Sequence, residues 1–169
     1  MGTKIWCGLN NNETQLISVI LPTFNRAKLL SRAINSVLKQ SYYNLECIVI
    51  DDCSVDNTEE VVKSINDNRI VYIRHETNRH ASAARNTGIK YTKGELIGFI
   101  DDDDQWLPTK LEKQVSLILQ LPKNFGMIYC WMNYYKDEKL INEHHPTIKG
   151  NVFPMVLDQQ RLGGCPTLL

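Results

Sequence analysis

Short apolar runs rich in β-branched residues alternate four times with stretches of helical periodicity, and no other feature restricts the fold as much. The runs are Leu16 to Leu21 (LISVIL, stopped by Pro22), Leu45 to Ile50 (LECIVI), Ile70 to Ile73, and Glu95 to Ile100 (ELIGFI). Each has the length of a strand bounded by turn residues. They are apolar throughout rather than alternating, which fits a sheet covered by helices on both faces. After the first run, Leu29, Leu30, Ala33, Ile34, Val37 and Leu38 fall on one helical face, with Asn25 the expected N-cap. Asp56-Asn-Thr-Glu59 reads as a capping box, with Asp in the Ser/Thr role, opening a helix through Val61, Val62 and Ile65. Residues 80–91 read as a third helix, with Gly94 as a stop signal. Pro108 suits the first turn of a fourth, carrying Leu111, Val115, Ile118 and Leu119 and ending near Pro122. Met127 to Tyr135 reads as a further strand. The expected fold is α/β, a doubly wound and mostly parallel sheet.

Ligands of such sheets bind beyond the carboxyl ends of the strands. The polar signals of this chain sit at those ends: Thr23-Phe24-Asn25 after the first strand, Asp51-Asp52 after the second, and Asp101 to Asp104 after the fourth. Four consecutive aspartates are costly there. Two charges ~4 Å apart repel by ~1 kcal/mol in water and by several times more beside a low-dielectric wall. Some of them must take up protons, or a cation must neutralise them. Carboxylate oxygens are hard ligands suited to Mg²⁺ or Mn²⁺, and pairs spaced i, i+2 leave coordination positions open for a diphosphate. The segment from Arg74 to Lys93 adds Arg74, Arg79, Arg85, Lys90 and Lys93 against a single Glu76, a basic helix that can face an anion. Arg85 stands out because Ala81, Ala83 and Ala84 leave the backbone beside it uncrowded.

Several classes are excluded. The 19 basic and 19 acidic residues give zero formal charge, which argues against neutralising nucleic-acid phosphates. The longest apolar run, Met127 to Met132, is far short of the ~18 residues of a membrane span. The N-terminal residues have no apolar signal core. Five cysteines without a Cys-x-x-Cys pair suit reduced thiols in the cytosol better than disulfides or zinc. There is no Gly-x-Gly-x-x-Gly, Walker A loop, Gly-x-Ser-x-Gly elbow or His-Glu-x-x-His, and His144 and His145 read as surface residues.

Five motifs, in this order and spacing, resemble family 2 glycosyltransferases with the nucleotide-sugar-binding GT-A fold. They are Ser18-Val-Ile-Leu-Pro-Thr-Phe-Asn25; Ser36-Val-Leu-Lys-Gln40; Glu46-Cys-Ile-Val-Ile-Asp-Asp-Cys-Ser54 with Asp56 and Thr58; Ala83-Ala-Arg-Asn-Thr-Gly88; and Gly94-Glu-Leu-Ile-Gly-Phe-Ile-Asp-Asp-Asp-Asp-Gln-Trp106. The resemblance implies that Pro22, Thr23, Phe24 and Asn25 border the base and ribose, with Phe24 offering its ring face to a uracil-like base. It implies that Asp52 accepts a hydrogen bond from base or ribose and that Arg85 lies in the helix holding the nucleotide. Asp101-x-Asp103 matches the Asp-x-Asp signature, so that Asp101 and Asp103 hold the divalent ion, Mn²⁺ or Mg²⁺. Asp101 also lies against the nucleotide sugar, and Asp102 meets the ribose or sugar. Trp106 is packing or acceptor-side wall. The implied reaction moves a sugar from a nucleotide-diphosphate sugar, UDP favoured, to the hydroxyl of a saccharide or lipid-linked acceptor, with inversion.

In such enzymes the general base comes from a later segment, often marked by a Glu-Asp pair. Here Asp137-Glu138 is reversed and Asp158 is isolated, so the base is expected beyond Leu169. The expected organisation is an N-terminal extension over 1–15 and a donor-binding domain over 16–169 that is incomplete at its C-terminus. It would be cytoplasmic, either free or docked peripherally at the inner membrane face. Rival readings are a non-catalytic nucleotide-sugar-binding module, a phosphoacceptor signalling domain and a nucleotidyltransferase.

Overall fold

The computed structural model of the chain describes residues 15–122, 126–147 and 150. Within them β1 (Ile17–Thr23), β2 (Leu45–Asp51), β3 (Ile70–Arg74) and β4 (Leu96–Phe99) form one sheet in the order β3-β2-β1-β4, all parallel. The helices α1 (Ala27–Leu38), α2 (Thr58–Ser64), α3 (His80–Tyr91) and α4 (Lys110–Ile118) occupy the connections and the segment after β4. β1 and β2 are buried along their whole length, as their unbroken apolar runs require. Successive side chains alternate between the two faces. Ile17, Val19 and Leu21 with Cys47 and Val49 pack in the larger core, which α1 fills with Leu30, Ala33, Ile34 and Val37 and α4 with Leu111 and Val115. On the opposite face Ile48 and Ile50 pack with Ala84 of α3.

β1 runs through Pro22 instead of stopping there, with Pro22 in register with Ile50. β4 pairs with β1 only as far as Ile20, so the missing proline N–H falls where one neighbour has already left. Asn25 is not the cap of α1. It takes a left-handed backbone (φ 55°) and its amide donates to Ser54 Oγ, while Arg26 stands at the N-cap. The first helical amide, Ala27 N, is satisfied from another element by Asp56 Oδ2 at 3.1 Å. Asp56 Oδ1 also accepts from the amide and hydroxyl of Thr58, at the start of α2. One carboxylate thus terminates two helices, and Glu59 pairs with Lys63 rather than closing a box. Only part of the expected fifth strand forms. Met132–Lys136 (β5) pairs antiparallel with Lys139–His144 (β6) in a separate two-stranded sheet. Asp137 and Glu138, the reversed acidic pair, form its turn with positive φ at both positions.

Gly94, the helix stop, leads into β4 against β1. Its amide donates to Ser18 Oγ (2.9 Å), Ser18 donates to Glu46 Oε1 (2.6 Å), and Lys93 N donates to the same oxygen (2.8 Å). Buried Glu46, an acidic residue inside an apolar run, thereby ties β1, β2 and the entry to β4 together.

Lys110 at the start of α4 is 9% exposed, donates to Gln114 Oε1 and lies 3.9 Å from the centroid of the Trp106 ring. Trp106 is core packing, 5% exposed. Burial pushes the Lys110 ammonium down to about 8. Below pH 8 the folded state keeps a desolvated charge, whereas above about pH 10.5 both states are neutral and that penalty is absent. Lys110→Met is therefore expected to stabilise the chain by ~1–2 kcal/mol at pH 7, after loss of the ring contact and the Gln114 bond is set against relief of desolvation. The gain should vanish towards pH 10.5 in urea unfolding. A gain that grows with pH would contradict this reading.

Candidate functional site

The carboxyl ends of β1, β2 and β4 and the first two turns of α3 enclose an open cleft of about 520 Å³. Pro22, Thr23, Phe24, Asp52, Arg85, Asp101, Asp102 and Asp103 all line it. These are the residues singled out from the sequence, with the exception of Asn25. That side chain turns away from the cleft, and its Oδ1 accepts from Val55 N to brace the loop after β2. Phe24, 43% exposed, presents an apolar surface at the rim. Ala81 and Ala84 form part of the wall, where their small side chains leave room beside the α3 backbone.

At one end stands Asp52. Neighbouring Asp51 faces the other way, its carboxylate held by Tyr72 Oη (2.6 Å) and Ser54 N (2.8 Å), so the acidic pair divides into a loop anchor and a cleft residue. Asp52 is buried, and its carboxylate accepts from His75 Nδ1 (2.7 Å) and from Arg79 N (2.9 and 3.0 Å to the two oxygens). Burial alone would raise its pKa. Hydrogen bonds from His75 and from the Arg79 and His80 amides outweigh it, and the carboxyl lies below the usual range. A charged acceptor is thereby fixed at the N-terminus of α3, where the helix dipole also favours an anion.

At the other end is the acidic loop after β4. Arginines carry part of its neutralisation. Arg26 Nη1 lies 3.2 Å from Asp102 Oδ1 and 2.6 Å from Asp103 Oδ2, and Arg85 Nη2 lies 2.6 Å from Asp101 Oδ1. Arg32 donates to the Asp103 carbonyl at 2.6 Å. Asp102 and then Asp103 raise the Arg26 pKa by their charge. Asp102 is buried and accepts from the Thr23 hydroxyl (2.8 Å); desolvation raises its pKa although Thr23 and Arg26 oppose that. Asp104 is pushed up to about 6, by burial first and then by Asp101 and Asp103. Of the two ways the sequence left open for neutralising this cluster, protons or a cation, the chain itself supplies guanidinium groups for part of the charge.

Asp101 and Asp103 each have one oxygen engaged by an arginine, and among the described residues no three His, Cys, Asp or Glu side chains converge as a metal-holding group. Two hard oxygen donors at i, i+2 fit a divalent cation that arrives with an anionic ligand supplying further oxygens. Arg85 Nε is buried with no hydrogen-bond partner among the described residues, a donor suited to such an anion.

Sequence reasoning missed Arg26, Asn78, His80 and, one layer out, His75. Arg26 falls in register with an ordinary helix start. His75 was masked by the basic residues around it, whose charge was the visible signal. Cys47, Cys53 and Cys130 are unpaired thiols, and burial pushes Cys47 up to about 12. Cys7, Cys165, Asp158 and the N-terminal extension lie outside the described residues apart from Gln15. His145 is exposed and stacks on Trp131, while His144 is half-buried. No helix among the described residues is long and apolar enough to cross a membrane.

The model of glycosyl transferase family 2 matches residues 18–166. The chain is 43% identical over 117 residues to the UDP-Glc:alpha-D-GlcNAc-diphosphoundecaprenol beta-1,3-glucosyltransferase WfgD of Escherichia coli, covering 69% of this chain and 46% of that one. Among solved structures it resembles S. aureus TarS 1-349 in complex with UDP-GlcNAc, with TM-score 0.59 and 32% identity over 62% of this chain and 31% of that one. It also resembles the mannosyltransferase PcManGT of Pyrobaculum calidifontis in complex with GDP-Man and Mn²⁺, with TM-score 0.64 and 25% identity over 70% of this chain and 36% of that one. The chain spans less than half the length of these relatives.

Proposed function

The chain belongs to glycosyl transferase family 2, and on that premise we propose that its cleft holds a nucleotide-diphosphate sugar, with a uridine nucleotide favoured, for transfer of the sugar with inversion to an acceptor hydroxyl. The observation that carries the reading is the polarity of the cleft: an ionised acceptor at one end, Asp101, Asp103 and the unpartnered Arg85 Nε at the other, and the exposed Phe24 ring in its lining. Asp52 and Phe24 would hold the base, and Arg85 the diphosphate. Asp102, fixed by Thr23, would face the ribose or sugar. Asp101 and Asp103 would hold Mn²⁺ or Mg²⁺, which when bound stabilises the charge growing on the diphosphate leaving group. The acceptor is a saccharide or lipid-linked sugar, as the name of the WfgD relative suggests, met in the cytoplasm or at the inner membrane face. The general base would lie outside the residues described. The family match sets aside the phosphoacceptor reading. A binding module without turnover would show the same cleft, and assay with radiolabelled sugar nucleotide separates the two.

A thermal-shift panel of UDP, GDP, dTDP and CDP, each with and without Mn²⁺, tests the proposal. UDP with Mn²⁺ is expected to give the largest shift, worth ~2.7 kcal/mol at 100 times the dissociation constant. No shift with any nucleotide would overturn it. Because Arg26 occupies Asp103, Arg26→Gln is expected to lower several-fold the Mn²⁺ concentration that gives the half-maximal shift. An unchanged midpoint would mean that Arg26 does not compete with the ion.

A further inference from the structure

The remaining unexplained feature of the cleft is the buried imidazole behind it. His75 follows β3 and is 8% exposed. Its ring bridges two elements, with Nδ1 2.7 Å from Asp52 Oδ1 and Nε2 3.0 Å from Thr87 Oγ1 on the second turn of α3. Its backbone amide donates to the Asp51 carbonyl (2.8 Å), which sets the ring directly behind the acidic pair. A carboxylate only accepts hydrogen bonds, so Nδ1 must carry the proton. Thr87 complements whichever state Nε2 adopts, because a hydroxyl can donate or accept.

We infer that His75, held by Thr87, is the positioning residue that keeps Asp52 a fixed acceptor, and that this pair sets the choice of base in the cleft. The inference rests on the reading of the cleft as a nucleotide-sugar site. Asp52 Oδ1 is saturated from behind by His75 and Arg79, which leaves the acceptor capacity of Oδ2 beyond its Arg79 bond for the cleft side. A uracil-type base offers an imide N–H to such an oxygen. Cytosine offers a ring nitrogen lone pair at the same place, which a fixed carboxylate repels. Selection of this kind comes from the mismatched partner as much as from the matched one. A carboxylate free to rotate would relieve the repulsion and lose the preference. His75 does not touch the nucleotide; it acts through Asp52.

The test is calorimetric titration of UDP and CDP into the full chain and its variants with Mn²⁺ present, alongside thermal unfolding of each. His75→Leu is expected to weaken UDP by about tenfold or more while changing CDP little, so that the UDP:CDP ratio collapses. His75→Asn, whose side-chain amide can reach the place of Nδ1–H, should restore most of that ratio. Thr87→Val should lower it by a smaller factor. A ratio unchanged in His75→Leu, or lowered equally in His75→Asn, overturns the inference while leaving the nucleotide reading intact. Binding of neither nucleotide by the parent chain overturns both. If His75→Leu does not fold, the ¹⁵N spectrum of the parent imidazole decides. A protonated Nδ1 at pH 7.5 with UDP bound is expected, and an unprotonated Nδ1 refutes it.

Discussion

Replacing Asp101 and Asp103 together by asparagine is expected to remove the Mn²⁺-dependent part of UDP binding, a loss of about 100-fold or more, and to leave the fold intact. Each charged contact of this kind is worth ~1.5–3 kcal/mol, so two lost contacts reach that factor. The fold should survive because both side chains sit at the rim, 33% and 48% exposed, and contribute to no core. Their removal also relieves repulsion on Asp104, which Asp101 and Asp103 push upward. Arg26 keeps Asp102 as a partner after the exchange. Measuring UDP affinity with Mn²⁺ and with chelator, in parent and double variant, gives the ratio directly. An undiminished Mn²⁺ effect would place the ion elsewhere.

The second large effect is on stability. A Cβ built on Gly94 would lie 2.3 Å from the Leu16 carbonyl oxygen and 2.9 Å from both Leu16 C and Ser18 N. All three atoms are backbone of β1 or of the residue leading into it, so no side-chain rotation relieves the overlap. The chain would have to pull β4 away from β1 and stretch the Gly94–Ser18–Glu46 hydrogen bonds. Gly94→Ala should therefore destabilise by ~3 kcal/mol or more, at the upper end for overpacking. Gly126→Ala is the control: nothing lies within 4 Å of its Cβ position, and its effect should stay within ~0.5 kcal/mol. A cost below ~1 kcal/mol for Gly94→Ala, read from urea unfolding, would contradict the close approach.

What could be read from residues alone was governed by period and position. The apolar runs at Leu16–Leu21 and Leu45–Ile50 are buried on both faces, and that state has an unambiguous pattern, so the parallel sheet and the strand ends bearing Thr23, Asp52 and Asp101 to Asp103 were legible. The failures are tertiary. Asn25 has the composition of an N-cap, but Asp56, 29 residues beyond Ala27, supplies the bond to the Ala27 amide, and no local signal announces a cap from another loop. The run from Met127 to Tyr135 is apolar enough for a core strand. Its partner is instead the polar segment Lys139–His144, and a hairpin with positive φ at Asp137 and Glu138 carries no glycine to mark it. The arginine partners of the acidic loop were not legible because Arg26 and Arg32 lie some 70 residues earlier, and sequence charge runs do not show which cation reaches which anion. His75 illustrates the same limit: its meaning lies in Asp52 and Thr87, not in its neighbours along the chain.

Titrating UDP into the chain by calorimetry, once with Mn²⁺ and once with chelator, bears most directly on the cleft between Phe24 and Asp103. One molecule taken up per chain, with affinity that falls sharply when the ion is withdrawn, is the outcome expected. Heat indistinguishable from dilution under both conditions would contradict it.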